Sequence, residues 1–492
     1  MAQAPDMVEI PQPSRGKVAR NAVHLLAGQV VMLALSMLLS ASLARWLGAE
    51  EFGNYFLLMT AVGFAGVIVE WGQSAYLVRE AARRPDDVGP LLAGAVLYRV
   101  IVCALSTVAI AIVFRLMGHD ARLQQLALLA GFCSLPMLIA LAYSYAFRSR
   151  DRMDLDAAVN VASKAATVGV TLAILAMGFG LAGVLQAQAL GGLAGLVAAI
   201  VVAKRLGIRL ARPDWAICRE LLIGGAPIAA FFVATSVQPF VDALVLAALA
   251  PAYVVGCYGA ARSILNLLCV PAQILGTASF PELSRLAHTI PEMRRTLASS
   301  LRILLGIGVL AGAGTFLFAD VAIHIVFGAK FDPAIVLLQL WAPALPLFFL
   351  DSLFGVTLTA LGKTQQIASV KVMSIVVSTA LAIALIPYFQ NAFGNGGIGL
   401  ALALACSELI MLAAFLWLLP RGLLGASAIV DVLRAVVAGC ATTAIVHYAF
   451  GGQAPWVAIP VTIVLFALLC AVTGLFKVQE LNALIRVLKR GA

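Results

Sequence analysis

The chain has 492 residues, of which 62% are hydrophobic and only 11% charged, and it carries a net charge of +10. Soluble proteins carry about 25% charged residues, so this chain cannot cover a water-facing surface. Soluble enzyme, nucleic-acid binder and disordered scaffold are excluded as readings of the whole chain. Mean hydropathy is +1.02, and the basic excess reads as cytoplasmic loops of a membrane protein rather than a nucleic-acid surface.

Residues 1–20 are polar, with Pro5, Pro11 and Pro13, and the apolar run after them is too long for a signal-peptide core. They read as a cytoplasmic tail. A helix needs about 20 apolar residues to cross the hydrocarbon. Runs of that size fall at about 22–44, 53–75, 90–114, 123–147, 157–178, 182–203, 219–246, 254–278, 297–319, 334–360, 365–388, 397–419, 431–449 and 455–476. The sequence therefore predicts an all-α polytopic membrane protein with fourteen transmembrane helices. If both termini are cytoplasmic, the loops expected inside hold clusters such as Arg79, Arg83 and Arg84, or Arg148, Arg150 and Arg152. The outside loops then hold only Arg45, Arg115, Arg122 and Lys330. The positive-inside rule supports this orientation.

No loop is long enough to fold alone, so neither a nucleotide-binding nor a soluble catalytic domain is expected. Leu361-Gly362-Lys363-Thr364 resembles the end of a phosphate-binding loop, but Thr357 stands where that motif needs glycine, and a short turn is expected. The eight cysteines form no C-x-x-C pair, so neither a metal site nor a cofactor is expected. Pro136, Pro227, Pro239, Pro271, Pro343 and Pro346 lie within spans and should kink them. Gly191 and Gly195 make a G-x-x-x-G contact.

The chain repeats itself. Gly53-Asn54-Tyr55 in span two is matched 203 residues later by Gly256-Cys257-Tyr258 in span eight. Ala162-Ser163-Lys164 in span five is matched by Ser369-Val370-Lys371 in span eleven, at an offset of 207. Six spans per repeat keep the two halves in the same orientation, a plan used by secondary transporters that bind substrate between halves. The chain divides into a tail (1–20), two pseudo-symmetric six-helix lobes (21–205 and 206–420), and two additional helices with a short tail (421–492).

The stretch Ala44-Arg45-Trp46-Leu47-Gly48 through Glu51-Phe52-Gly53-Asn54-Tyr55, and Leu77-Val78-Arg79-Glu80-Ala81-Ala82-Arg83, resemble motifs of the Wzx-type polysaccharide-export flippases. Gly256–Ala261 and Phe280-Pro281-Glu282-Leu283-Ser284 resemble the second-half counterparts. The superfamily also holds the multidrug and toxin extruders and the lipid II flippase. The resemblance implies a bacterial inner-membrane flippase, not an enzyme. It would move a polyprenyl-pyrophosphate-linked oligosaccharide to the outer leaflet by alternating access, through a cationic cavity. With no nucleotide-binding domain expected, the energy would come from an ion gradient, with H+ or Na+ as the coupling ion, or from the substrate's own gradient. A polysaccharide polymerase or glycosyltransferases of the same pathway would be partners, nucleic acid would not, and the flippase would act as a monomer. The alternative within the superfamily is a cation antiporter. A membrane glycosyltransferase or polymerase fits less well, because the outside loops are short.

Ionisable groups deep in a bilayer usually face protein or a wet cavity. Arg99, Lys164, Arg262 and Lys371 are the candidate counter-charges for a pyrophosphate. For Arg99 and Lys164, snorkelling to the interface is the competing reading. Glu70, Asp242 and Glu408 are the coupling or gating candidates, Glu408 for a proton-linked site. Asp242 and Arg262 lie at similar depth, either as a neutralising pair or as a gate opened by the substrate's phosphate. Glu70 is also placed to pair with Arg99.

Overall fold

The structure, a computed structural model, describes residues 15–212, 214–450 and 454–475. Most of the predicted N-terminal tail, and the basic residues Lys477, Arg486, Lys489 and Arg490, lie outside them. Among the described residues the fold is all-α, with thirteen helices long and apolar enough to span a membrane; the first is broken in two, which makes fourteen crossings.

The first two crossings share α1 (Arg15–Glu70), which breaks at Gly48, where φ 81 and ψ 174 lie outside the helical region. Glycine permits that geometry without a Cβ penalty. The second crossing ends in α2 (Gln73–Arg83). Crossings three to six are single helices: α3 (Val88–Leu116), α4 (Ala121–Arg148), α5 (Met153–Ala176) and α6 (Leu181–Arg205).

The second half is more interrupted. Crossing seven is α7 (Trp215–Ser236) and α8 (Gln238–Leu249), and crossing eight is α9 (Ala252–Leu268) and α10 (Val270–Arg285). Crossing nine is α11 (Ile290–Val326). Crossing ten is α12 (Pro333–Trp341), a 3-10 turn, and α13 (Leu345–Ala360). Then come α14 (Thr364–Phe393), α15 (Gly396–Leu418), α16 (Ala426–Phe450) and α17 (Pro455–Thr473). Pro239, Pro271, Pro343 and Pro346 each stand in the first turn of a new helical piece. A missing N–H costs nothing there, so these prolines divide crossings rather than merely bend them. Pro136 and Pro227 instead lie inside unbroken helices.

In the first half α5 packs on α6, α4 on α6 and α3 on α4. In the second, α14 packs on α15, and α13 on both α10 and α11. The last two helices lie against α11, where Arg302 meets Asp431 at 3.4 Å. Basic helix ends meet at one end of the bundle, called the basic end below: Arg84 at the end of α2 reaches Glu220 of α7, Arg150 in the α4–α5 turn donates to the Leu206 carbonyl after α6, and Gly89 at the start of α3 lies against the Arg209 carbonyl. The Gly362–Lys363 segment is a short turn, with Lys363 Nζ donating to the Leu418 carbonyl at 2.6 Å.

The two copies of the repeated glycine motif touch each other. A Cβ on Gly53 would fall onto the carbonyl oxygen of Ala252, and one on Gly256 onto that of Ala49. Only glycine at both positions lets the backbones of α1 and α9 approach this closely. Phe56 and Tyr258 pack edge to face beside the crossing, 6.1 Å between centroids. Away from such contacts, side chains such as Val108, Val197, Ile383 and Ile463 stay exposed, a surface suited to lipid.

Candidate functional site

The broken crossings of the second half bring together charges from five helices. Asp242 sits on α8 just past the break and is 1% exposed, with the Ser378 hydroxyl of α14 beside its carboxylate. Glu408, in the middle of α15, is 6% exposed, and its Oε2 has no partner. On α14, Lys371 donates to Asp351 Oδ2 of α13 at 2.9 Å, and its ammonium stands 5.9 Å from the Phe415 ring centroid. The other Asp351 oxygen is unpartnered. Arg262 on α9 is half-buried and makes no ion pair or hydrogen bond with the described residues. Glu408 lies within Coulombic reach of Asp351, Lys371, Arg262 and Asp242. Ser374 and Ser407 bridge α14 to α15 with hydroxyl oxygens 2.5 Å apart, and the buried Tyr258 hydroxyl has no partner.

Three carboxylates thus face two cations in a low-dielectric interior, with an unpartnered oxygen on Glu408 and on Asp351. Buried charge is costly unless paired. Such a cluster is suited to a proton or a small cation that supplies the missing positive charge. Asp242 and Arg262 feel each other's charge but form no ion pair, so the predicted pair is not closed in this conformation. Asp351 was missing from the sequence-predicted set. Its signal was present as the lone acid within Leu345–Ala360.

The first-half candidates are arranged differently. Arg99 on α3 is fully enclosed, at 0% exposure. Its Nε donates to Gln73 Oε1 at 3.0 Å, its Nη1 to the Leu138 carbonyl at 2.5 Å, and its guanidinium lies 5.4 Å from the Tyr145 ring centroid. It neither snorkels nor pairs with Glu70, whose Oε1 instead accepts from the Ser74 N–H at 2.9 Å. Lys164 on α5 is half-buried and has no polar partner among the described residues. Of the four cations expected to line a cavity, Arg99 and Lys371 are thus committed to protein groups, and Lys164 and Arg262 are not.

An apolar groove of about 810 Å³ lies where α1 meets α9, α10 and the end of α11, lined among others by Leu33, Met37, Leu38, Trp46 and Pro271. Arg45 closes one end, donating through Nε to the Val326 carbonyl at 3.0 Å and through Nη2 to that of Ile325. These are carbonyls left free at the end of α11, where positive charge is favoured. Arg45, expected from the sequence in an outside loop, thus caps α11.

A family model described as polysaccharide biosynthesis protein matches residues 18–287. No curated protein matches the sequence. Among solved structures, the fold is similar to the lipid II flippase MurJ in an inward closed conformation, with a TM-score of 0.73 at 12% identity, covering 92% of this chain and 98% of that one. It is also similar to an inward-facing multidrug resistance MATE family transporter of the MOP superfamily, with a TM-score of 0.59 at 15% identity, covering 80% and 97%. A MOP superfamily transporter from Pyrococcus furiosus, described as having a binding pocket of reversed polarity, matches with a TM-score of 0.53 at 16% identity over 82% and 94%. At these identities the likeness is one of fold.

Proposed function

Because the chain belongs to the polysaccharide biosynthesis protein family, we propose that it is a flippase for a polyprenyl-pyrophosphate-linked oligosaccharide. It carries that lipid from the cytoplasmic to the outer leaflet of a bacterial inner membrane, for a surface polysaccharide such as O-antigen, capsule or exopolysaccharide. The observation that carries the reading is the pair of uncommitted cations, Lys164 in the first half and Arg262 in the second. Neither cation is tied up in a closed ion pair, although Arg262 feels the charge of Asp242 and Glu408, and a dianionic headgroup can take up such donors, arginine offering paired ones to phosphate oxygens. The apolar groove along α1 supports the same reading, since a polyprenyl chain needs an apolar path.

The lobes 21–205 and 206–420 move against each other, and 421–492 is an accessory pair of helices with a cytoplasmic tail. Asp242, Glu408 and Asp351 take up H+ or Na+ to drive the cycle, while Glu70 and Arg99 brace the second crossing. Glycosyltransferases or a polymerase of the same pathway supply and consume the cargo, and both termini are cytoplasmic.

One observation favours a second reading. The unpartnered acids would also suit a cation antiporter of the multidrug and toxin extrusion type. Deleting the gene decides between the two. A flippase leaves the lipid-linked precursor on the cytoplasmic leaflet and depletes surface polysaccharide. An antiporter leaves polysaccharide normal and changes resistance to cationic dyes.

A further inference from the structure

The second crossing is not one helix. It leaves α1 at Glu70, turns through Trp71 and Gly72, and resumes as α2. Both turn residues are left-handed, Trp71 at φ 43 and Gly72 at φ 69. Glycine adopts this region freely, but a bulky residue held there stores strain that the surroundings must hold in place.

Those surroundings belong largely to α7, the first helix of the second half. The Trp71 indole donates to the Leu222 carbonyl at 3.0 Å. A Cβ on Gly72 would lie 2.6 Å from the Gly225 oxygen, and one on Gly225 would lie 2.5 Å from the Trp71 oxygen. On the first-half side, Arg99 grips Gln73 and Glu70 caps Ser74.

The far end of α2 is held by charge. Glu80 accepts from Arg79, Arg83 and Arg84 at 3.0–3.3 Å. Arg84 also reaches Glu220 of α7 at 2.6 Å, and the Tyr76 hydroxyl donates to the same carboxylate at 3.3 Å. The Arg84 and Glu220 side chains are 43% and 36% exposed. Exposed pairs are weak and screened by salt. α2 is therefore an eleven-residue arm, strained at one end, latched by exposed charge at the other, and packed along the face that carries the buried Gln73, Tyr76, Leu77 and Ala81.

We propose that α2 is a gate at the basic end, where the first half meets α7, swinging about Trp71–Gly72 and held shut on α7 by the Arg84–Glu220 ion pair. The cargo that the gate admits rests on the flippase reading above. The hinge and the latch do not.

The test is hydrogen–deuterium exchange on the full chain in lipid nanodiscs, comparing wild type with Glu220→Gln, and wild type in about 0.05 M with about 0.5 M NaCl. Breaking the latch should speed exchange of residues 73–84 by about two- to five-fold as one block, leaving residues 49–70 unchanged. The salt comparison gives the same reading without a substitution, should Glu220→Gln fail to fold. An unchanged 73–84 block overturns the latch. A rise that runs on through 49–70 overturns the hinge, because the crossing would then open as one piece. Normal polysaccharide in the gene deletion would sink the flippase reading while leaving the exchange result to decide the gate.

Discussion

Lys164 and Lys371 occupy matching places in the repeat, yet only Lys371 has a partner. The offset of 207 that joins them puts Ser144 where the second half has Asp351, so the first-half lysine is left without its acid. Arg262→Ala should lower export by about 10- to 100-fold, as expected for losing a charge-assisted contact to phosphate, whereas Arg262→Lys should keep part of it. Equal, undiminished export by both variants, read from the leaflet of the precursor, would remove Arg262 from the substrate path. Asp351→Asn leaves Lys371 unpaired and should cost up to about 3 kcal/mol, seen as a lower melting temperature in detergent. Restoring stability with Asp351→Leu and Lys371→Met together would identify the loss as uncompensated charge. His119, in the turn between α3 and α4, packs on Phe114 at 5.2 Å, and burial pushes its pKa below the ordinary value despite the neighbouring Asp120. As pH falls through about 6.5 the unfolded chain therefore binds the proton first, and stability drops until the folded histidine titrates as well. A His119→Gln variant should lose that part of the slope in melting temperature between about pH 7.5 and 5.5. At this scale the sequence marked most of the deep charges, because an ionisable residue stands out in an apolar run. Which of them meet is decided by packing between distant crossings, and so neither the Lys371–Asp351 pair nor the enclosure of Arg99 could be read from it.

The fourteen crossings were legible because hydropathy over about 20 residues is a strong signal. The breaks inside them were not, since an average over that length smooths across a two-residue interruption. The prolines were visible as kinks. That Pro239, Pro271 and Pro346 open separate helices, and so bring α8 and α13 with their acids to the cluster, appears only in the fold. Trp71–Gly72 carried still less signal, because no proline marks it. The glycine crossing gives the prediction for this scale. Gly53→Ala places a methyl against fixed backbone and should cost about 1–3 kcal/mol, measured as lost thermal stability. Gly66→Ala, where nothing lies within 4 Å, should be nearly silent on the same helix. Equal effects from the two would show that the close approach is not what limits position 53.

For the whole molecule, the proposed orientation predicts that a fluorescent protein fused to the C-terminus folds in the cytoplasm and glows. A periplasm-dependent phosphatase at the same place should be inactive, and the reverse result would invert every loop assignment. Hydropathy supplied the number of crossings, and the repeated Gly-x-Tyr motif underlies the proposed division into halves. That the two copies of the motif meet face to face was not foreseeable, because a repeat records kinship between segments and not their contact. In a two-fold dimer, residue i of one subunit meets j of the other, and j meets i. Gly53 and Gly256 meet in that way within a single chain, each filling the room that the other vacates. The two positions are therefore tied in heredity: a larger side chain at either closes the space on which both depend. Whatever else drifts between the halves, this pair constrains their divergence as a unit.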